Sequence, residues 1–311
     1  MITIIIPVFN AERYIGPCLD ALQKLDYPTD LIEIIVMDNG SRDRTVDIVK
    51  GYGVRLFILP QVTISQLRNT GAQHARGEYL AFIDADCLAG EAWLKLSTQI
   101  LKDSAIGAAG CWYRLSPKSV FLEKVWNAHM GARSATIGDI DWVPSGNLIM
   151  PKSVFDKIGG FDESLTTAED VDICRRIHHA GLSVFSHPAL AVVHLGESKN
   201  LKQFVLKEKW RGEGVLQNLV REFPHIHLNK AILFTFITLL ALIAILVSVG
   251  QHNRSALLLS VILLLAAPCY LTLKACFSSR QWQYCLPLIF LFVVYGVARI
   301  LSAFSPRVWK I

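Results

Sequence analysis

The sequence predicts an α/β domain with a mainly parallel sheet, followed by an amphipathic interfacial segment and C-terminal transmembrane helices. Three observations lead there. The first 110 residues alternate short apolar runs with amphipathic ones. The run Tyr79–Ile83 ends in Asp84-Ala85-Asp86, two carboxylates one residue apart. From Ala231 onward there is no Asp or Glu, and three long apolar stretches follow one another.

In chain order, Ile2–Ile6 reads as a strand ended by Pro7. Ala11–Leu25 is a helix with Ile15, Cys18, Leu19, Leu22 and Leu25 on one stripe. Glu33–Met37 is a second strand, and Thr45–Tyr52 a helix with Ser41 and Asp43 as N-cap candidates. Val54–Leu59 is a strand, Ser65–Ala75 a helix and Tyr79–Ile83 a fourth strand. This order implies parallel strands with helices on both faces. From Ile106 the pattern is mixed: a helix over Val120–Arg133, a polar turn over Trp142–Asn147, and a short strand Leu148–Met150. A loop at Gly159–Glu163, a helix Ala168–Ala180 and a closing strand Ala189–His194 complete a domain over residues 1–200.

Residues 201–230 form the interfacial segment. Leu201–Phe223 is rich in Lys and Arg, with Phe204, Trp210, Leu216 and Phe223 as apolar anchors and Gly212 and Gly214 expected to break it in two. The spans follow at 231–249, 256–273 and 285–304, with a tail at 305–311. Each span approaches the roughly 20 residues a bilayer crossing needs. None has a polar face, which argues against buried core helices.

Six of the 31 Lys and Arg lie beyond residue 230, opposed by no acid. The first 230 residues carry 25 against 26 acids, so the formal charge of +5 belongs to the membrane segment and implies no nucleic-acid partner. Seven scattered cysteines form no C-x-x-C pair and no zinc spacing, as in a reducing compartment. The N-terminal run Met1–Pro7 has no basic flank and reads as a first strand rather than a signal peptide, so the hydrophilic domain is expected in the cytosol.

Both carboxylates of Asp84-x-Asp86 project from one side of a strand's carboxyl end, where open α/β sheets bind ligands. Two hard oxygen donors suit Mg²⁺ or Mn²⁺, which commonly hold a diphosphate. Such a pair alone also occurs in surface loops. The first turn, Pro7-Val-Phe-Asn-Ala-Glu, is no G-x-G-x-x-G, and no G-x-x-x-x-G-K-[ST] occurs, so both common phosphate loops are absent.

Further motifs coincide: Ile6-Pro-Val-Phe-Asn10, Asp38-Asn-Gly-Ser-Arg-Asp-Arg-Thr45, Arg68-Asn-Thr-Gly71 and Glu169-Asp-Val-Asp-Ile-Cys-Arg175. With the D-x-D, these five motifs over residues 1–195 resemble, in order, the family 2 glycosyltransferases. The resemblance implies a GT-A fold and metal-assisted, inverting transfer from a nucleoside diphosphate sugar. It makes Asp38 the nucleobase acceptor, with capping of the Gly40-Ser41 turn as its bland alternative. Pro7, Phe9 and Asn10 become the base-binding strand, with Phe9 where the family often has Tyr, and Arg68 a nucleotide contact. Asp84 becomes the ribose-side carboxylate, Asp86 the metal ligand and His194 a further ligand. Asp170 takes the position of the base that deprotonates the acceptor hydroxyl, with Glu169 and Asp172 supporting it or binding the donor sugar. Acids at a helix N-terminus are also favoured by the macrodipole alone.

Processive members carry Q-x-x-R-W near the membrane, whereas Leu206-Lys-Glu-Lys-Trp210 stands here. That departure favours single-sugar transfer and leaves Trp210 an acceptor contact or an interfacial anchor. The expected partners are a nucleoside diphosphate sugar, a lipid-linked or cell-envelope glycan acceptor, and membrane lipids. Synthesis of a polyprenyl-phosphate sugar is the alternative, and a non-catalytic membrane scaffold a remote one.

The expected location is a bacterial inner membrane with the catalytic domain cytoplasmic. Three full spans would then put Gly250–Ser255 and the tail outside and Lys274–Tyr284 inside. The tail's Arg307 and Lys310 oppose the positive-inside tendency. A re-entrant stretch, permitted by Pro268 or Pro287, would keep the tail inside.

Overall fold

The computed structural model describes residues 1–129, 133–221 and 230–305. The chain forms two compact units. The first comprises Met1–Pro117 and Arg133–Glu197; the second comprises Lys118–Ala132 and Ser198–Ile311.

The first unit begins with β1 (Ile2–Val8), α1 (Ile15–Leu22), β2 (Ile32–Asp38), α2 (Thr45–Lys50), β3 (Arg55–Ile58), α3 (Ile64–His74) and β4 (Tyr79–Ile83). Each matches a sequence-predicted element: α1, α2 and β3 are shorter than expected, β4 is as expected, α3 is shifted by one residue, and β1 and β2 are longer. Pro7 does not end β1, which runs on to Val8 because its register with β2 continues, Pro7 on Met37 and Val8 on Asp38. Asp43 Oδ1 accepts from Thr45 N at the start of α2, while Ser41 Oγ accepts from Asn10 N. Thr63 and Gln66 form a capping box on α3. β5 (Cys87–Leu88), α4 (Trp93–Ile100), β6 (Ile106–Gly110) and β7 (Arg114–Leu115) follow. The chain then leaves the first unit for α5 (Phe121–Ala128) and returns for β8 (Gly138–Asp139), β9 (Asn147–Pro151), α6 (Lys152–Lys157), α7 (Glu169–His179), β10 (Ser183–Ser186) and β11 (Val193–His194). The expected strand over Ala189–His194 is thus two residues, preceded by a 3-10 turn at Pro188–Leu190.

The large sheet has the order β3-β2-β1-β4-β9-β6-β10-β8. The first four strands are parallel, as expected. β9 runs antiparallel between β4 and β6, and β8 is antiparallel at the far edge, so the sheet is mixed. β5, β11 and β7 form a small second sheet.

The strand repeat of two divides β1 between two apolar layers. Ile2, Ile4, Ile6 and Val8 meet Ile15, Cys18 and Leu19 of α1 and Trp93 of α4. Ile5, with Ile35 and Met37, meets Leu67 of α3 and Ile173 and Ile177 of α7. All four isoleucines of β1 are fully buried. Each such side chain contributes about 1.5–3 kcal/mol relative to exposure.

The second unit holds α5, α8 (Leu201–Arg221), α9 (Lys230–Gly250), α10 (Arg254–Ser279) and α11 (Cys285–Ser302). The last three are long and apolar enough to cross a membrane. α8 runs through Gly212 and Gly214, so the expected break does not occur. A Cβ at Gly212 would lie 2.5 Å from Ser302 Oγ, so the missing side chain lets α8 approach α11. That packing offsets the ~1 kcal/mol a helical glycine costs. The side chains of Leu216 and Phe223, the Met130–Ala132 end of the expected helix, and the tail's Arg307 and Lys310 lie outside the described residues.

Candidate active site

The parallel strands β1, β2 and β4 deliver their carboxyl ends to one edge of the sheet, with Val8 registered on Asp38. At the end of β2, Asp38 is fully buried. Its Oδ1 accepts from Gly40 N at 2.9 Å and Ser41 N at 2.8 Å, whereas Oδ2 is buried with no hydrogen-bond partner among the described residues. The carboxylate therefore caps its turn with one oxygen and keeps an acceptor in reserve. A buried acceptor left unpaired is costly, which makes it a recognition candidate.

Beside it, Pro7 is buried within β1 and Phe9 is 57% exposed. Asn10 adopts a left-handed backbone, φ 49°, and its Oδ1 accepts from Arg42 N at 2.8 Å. Its side chain thus holds the 41–45 loop against the end of β1.

Arg68 of α3 is 1% exposed and links two distant segments. Nη2 donates to Asp84 Oδ1 and Nη1 to Glu169 Oε1, each at 2.8 Å. Burial alone would lower its pKa, but the two carboxylates outweigh that and raise it, so the charge is held. Glu169 Oε1 also accepts from Ser145 Oγ at 3.0 Å. The D-x-D and the acid pair of α7, far apart in sequence, are tied together through one guanidinium. Both terminal nitrogens of Arg68 are engaged by protein carboxylates, so its direct partners here are acids rather than an exposed ligand surface.

Burial raises the pKa of Asp84, against the lowering effect of Arg68, and Asp86 adds to the rise. Its Oδ2 lies 3.4 Å from the hydroxyl of Tyr113. Tyr113 in turn stacks on His194, ring centroids 4.5 Å apart and 9° from parallel. His194, on β11, places Nε2 3.3 Å from Asp86 Oδ2 and Nδ1 3.1 Å from Glu197 Oε1. Burial disfavours the imidazolium, yet the Asp86 and Glu197 carboxylates overcome it and push the pKa up to about 9.

This pair fits a divalent cation. A carboxylate oxygen and an imidazole nitrogen 3.3 Å apart suit neighbouring positions around one ion, with ligand distances of about 2.1 Å. Glu197 orients the ring from behind, the usual supporting arrangement for a histidine ligand. Cys87 Sγ lies close enough to join the cluster. Burial holds that thiol well above its ordinary pKa, however, and it packs in the core, so the hard oxygen–imidazole pair is the better ligand set.

Two glycines make room for the carboxylates. A Cβ on Gly146 would stand 2.1 Å from Asp84 Oδ2, and one on Gly196 only 1.8 Å from Asp86 Oδ2. Gly196→Ala should therefore displace Asp86 and weaken Mn²⁺ binding by about 10–100-fold, as for lost ligand support. Titrating the purified chain with Mn²⁺ checks this; an unchanged midpoint would count against Asp86 as a ligand.

α7 opens at Ala168, whose φ of 66° is unusual for alanine and which supplies no side-chain cap. Its first turn carries Glu169, Asp170 and Asp172. Asp170 is half-buried, with Oδ1 accepting from Val171 N at 2.8 Å. Asp172 turns to its own helix, pairing with Arg175 at 3.3 Å and with Arg176 at 2.6 Å. Arg176 also donates to Ile158 O at 2.7 Å. Asp172 thus steadies α7 against the preceding loop. Trp210 is 40% exposed on α8, in the second unit.

Tyr113, Ser145, Glu197 and Asn147 were not singled out from sequence. Asn147 is fully buried and fully used: Oδ1 accepts from Trp93 Nε1, and Nδ2 donates to Cys111 O and Leu190 O, all at 2.8 Å. Only the polar turn Trp142–Asn147 hinted at Ser145 and Asn147.

The model of glycosyl transferase family 2 matches residues 3–161. The chain is 26% identical over 225 residues to Glycosyltransferase AglE of Haloferax volcanii, covering 70% of this chain and 73% of that protein. It is 26% identical over 220 residues to validoxylamine A glucosyltransferase of Streptomyces hygroscopicus subsp. limoneus, covering 58% and 49%. The match therefore spans about half the length of some curated relatives. The mannosyltransferase PcManGT from Pyrobaculum calidifontis, solved in complex with GDP-Man and Mn²⁺, aligns with a TM-score of 0.64. The alignment has 19% identity and covers 97% of this chain and 86% of that one. That likeness is one of fold.

Proposed function

The chain belongs to glycosyl transferase family 2, and from that premise we propose that it is a metal-dependent, inverting glycosyltransferase. It takes a sugar from a nucleoside diphosphate and passes it, one unit at a time, to a lipid-linked or cell-envelope glycan. One observation carries the reading: Arg68 joins Asp84, beside Asp86, to Glu169, beside Asp170. A donor-diphosphate site and an acceptor base must be neighbours in such a reaction, and this link supports the reading by joining the residues proposed for each.

In this reading Asp86 and His194 hold Mg²⁺ or Mn²⁺, which when bound supplies charge neutralisation at the leaving diphosphate. Asp38 accepts from the base through its unpaired Oδ2, and exposed Phe9 offers a ring for it to stack on. Asp84, fixed by Arg68, takes the ribose side. Asp170 removes the proton from the acceptor hydroxyl, and Glu169 keeps it in position.

A membrane acceptor is supported by the tethering of the catalytic residues to α8 and to helices long and apolar enough to span a bilayer. Cytosolic nucleotide sugars put the catalytic unit on the inner face of the inner membrane. Polyprenyl phosphate is the second acceptor this tether accommodates.

The membrane-embedded chain should turn over at least one of the common UDP-, GDP- or dTDP-sugars with Mn²⁺ or Mg²⁺. Chelation and Asp86→Asn should each lower turnover by about 10²-fold or more. Labelled donor should appear in extracted lipid, read by mass spectrometry. No metal-dependent turnover across the screen would overturn the enzyme assignment; label in soluble product alone would overturn the lipid acceptor.

A further inference from the structure

All three apolar helices of the second unit are long enough to span, but their contacts divide them. α9 and α10 pack together as a hairpin joined at Gln251–Asn253. Beyond their first turns they leave large apolar side chains open on several sides, among them Leu240, Ile243, Leu246, Leu259 and Ile262. α11 is different. Its start lies against the end of α10, with Cys285 Sγ 2.8 Å from Cys276 Sγ. Its middle meets the early turns of α9, where Phe234 packs on Tyr295 and a Cβ on Gly296 would lie 2.7 Å from Thr238 Oγ1.

The end of α11 lies against α8. Arg299 Nη2 donates to Glu208 Oε2 at 3.0 Å, and Gly212 closes on Ser302. The order of these contacts makes the two helices run side by side in the same direction. α8 carries Lys202, Lys207, Glu208, Lys209, Arg211 and Glu213 within a dozen residues. A helix with that charge density does not enter hydrocarbon, where each central charge costs several kcal/mol. α8 therefore lies at or above the headgroups. So does whatever runs beside it.

α8 leads into α9 through residues 222–229, which include Glu222, His225 and His227 and no apolar run. α9 thus starts on the side where α8 lies, and α10 returns the chain to that side. α11 starts at the end of α10 and ends at α8, so both of its ends lie on one side.

We propose that α11 does not cross the membrane. It lies in the interface as a platform helix, the α9–α10 hairpin alone spans, and the chain beyond Ser305 emerges on the side of α8. The surface of α11 is built for this. Leu286, Phe290, Val297, Leu301 and Phe304 are exposed along one stripe at helical spacing. Leu288, Leu291, Phe292 and Ala298 are buried on the opposite face, where Trp126 of α5 packs on Phe292 and Tyr295. An interfacial helix sinks such a stripe about 5–10 Å into the acyl boundary and keeps its other face on protein. The arrangement also places Arg299 on the side that anionic headgroups favour.

The test uses the full chain expressed in a bacterial host. A phosphatase active only outside the cytosol and a fluorescent protein that matures only inside it are each fused after Ile311 and, separately, inserted at Asn253. The expected result is phosphatase activity without fluorescence at Asn253, and fluorescence without phosphatase activity after Ile311. Phosphatase activity at both positions would mean three crossings and overturn the proposal. Fluorescence at both would overturn it too, since the hairpin would not span. Neither readout depends on the glycosyltransferase reaction.

Discussion

Arg68→Met is expected to be the most destabilising single change in the first unit, costing about 3–5 kcal/mol. The guanidinium is almost wholly enclosed and donates to Asp84 and Glu169 at 2.8 Å each. Methionine fills similar space but leaves two acids facing each other without a cation. The penalty is then the uncompensated burial of charge rather than the lost attraction alone. It should also depend on pH. Burial already raises Asp84 above its ordinary value, and Arg68 opposes that rise. Without Arg68 the folded Asp84 carboxyl binds a proton more readily than the unfolded one. Stability of the variant should therefore increase as pH falls and protonation removes the buried charge, and fall again as pH rises. Arg68→Lys keeps a charge but not the two-pronged geometry, and should lose less. Thermal melts of the detergent-solubilised chain at pH 5 and pH 8 measure all three. A Met variant that melts with the parent at both values would show that the acid pair and the D-x-D are held by something else.

The parts of this molecule that sequence reading recovers are those set by local periodicity. β1, β2, β3 and β4, with the helices between them, follow from apolar runs and stripes, because each buries a face that its own residues define. The D-x-D was legible for the same reason: a strand's alternation fixes where Asp84 and Asp86 project. The sheet's antiparallel centre was not. β9 pairs with β4 and β6, and nothing near Asn147–Pro151 states that choice. Asn147 itself is explained only by Trp93, Cys111 and Leu190, which come from three other places in the chain. Tyr113 and Glu197 matter because of where His194 lies, and Gly196 because of Asp86. α5 looked like part of the first domain, yet its Trp126 packs on Phe204 and Phe292 of the second unit. Gly212 was read from propensity, and propensity lost to helix packing.

Asp170→Asn should separate catalysis from binding more cleanly than any other change at the site. If Asp170 takes the acceptor proton, its loss should lower kcat by about 10²–10⁴-fold, the usual worth of a general base. The KM for the donor should hardly move, because the base faces the acceptor. Stability should hold as well. Asn keeps an Oδ1 able to accept from Val171 N at 2.8 Å, and the side chain is only half-buried. Its neighbour provides the contrast. Glu169→Gln weakens the ion pair with Arg68 and should cost stability and activity together. Asp172→Asn acts through Arg175 and Arg176, so it should loosen α7 without a comparable loss of kcat. The three acids of one helical turn are thus distinguishable by steady-state kinetics paired with melts. If Asp170→Asn retains more than about a tenth of parental kcat, the loss falls below what a general base contributes. The proton then goes to another group, and the intact position of Glu169 on Arg68 would make that residue the next to test.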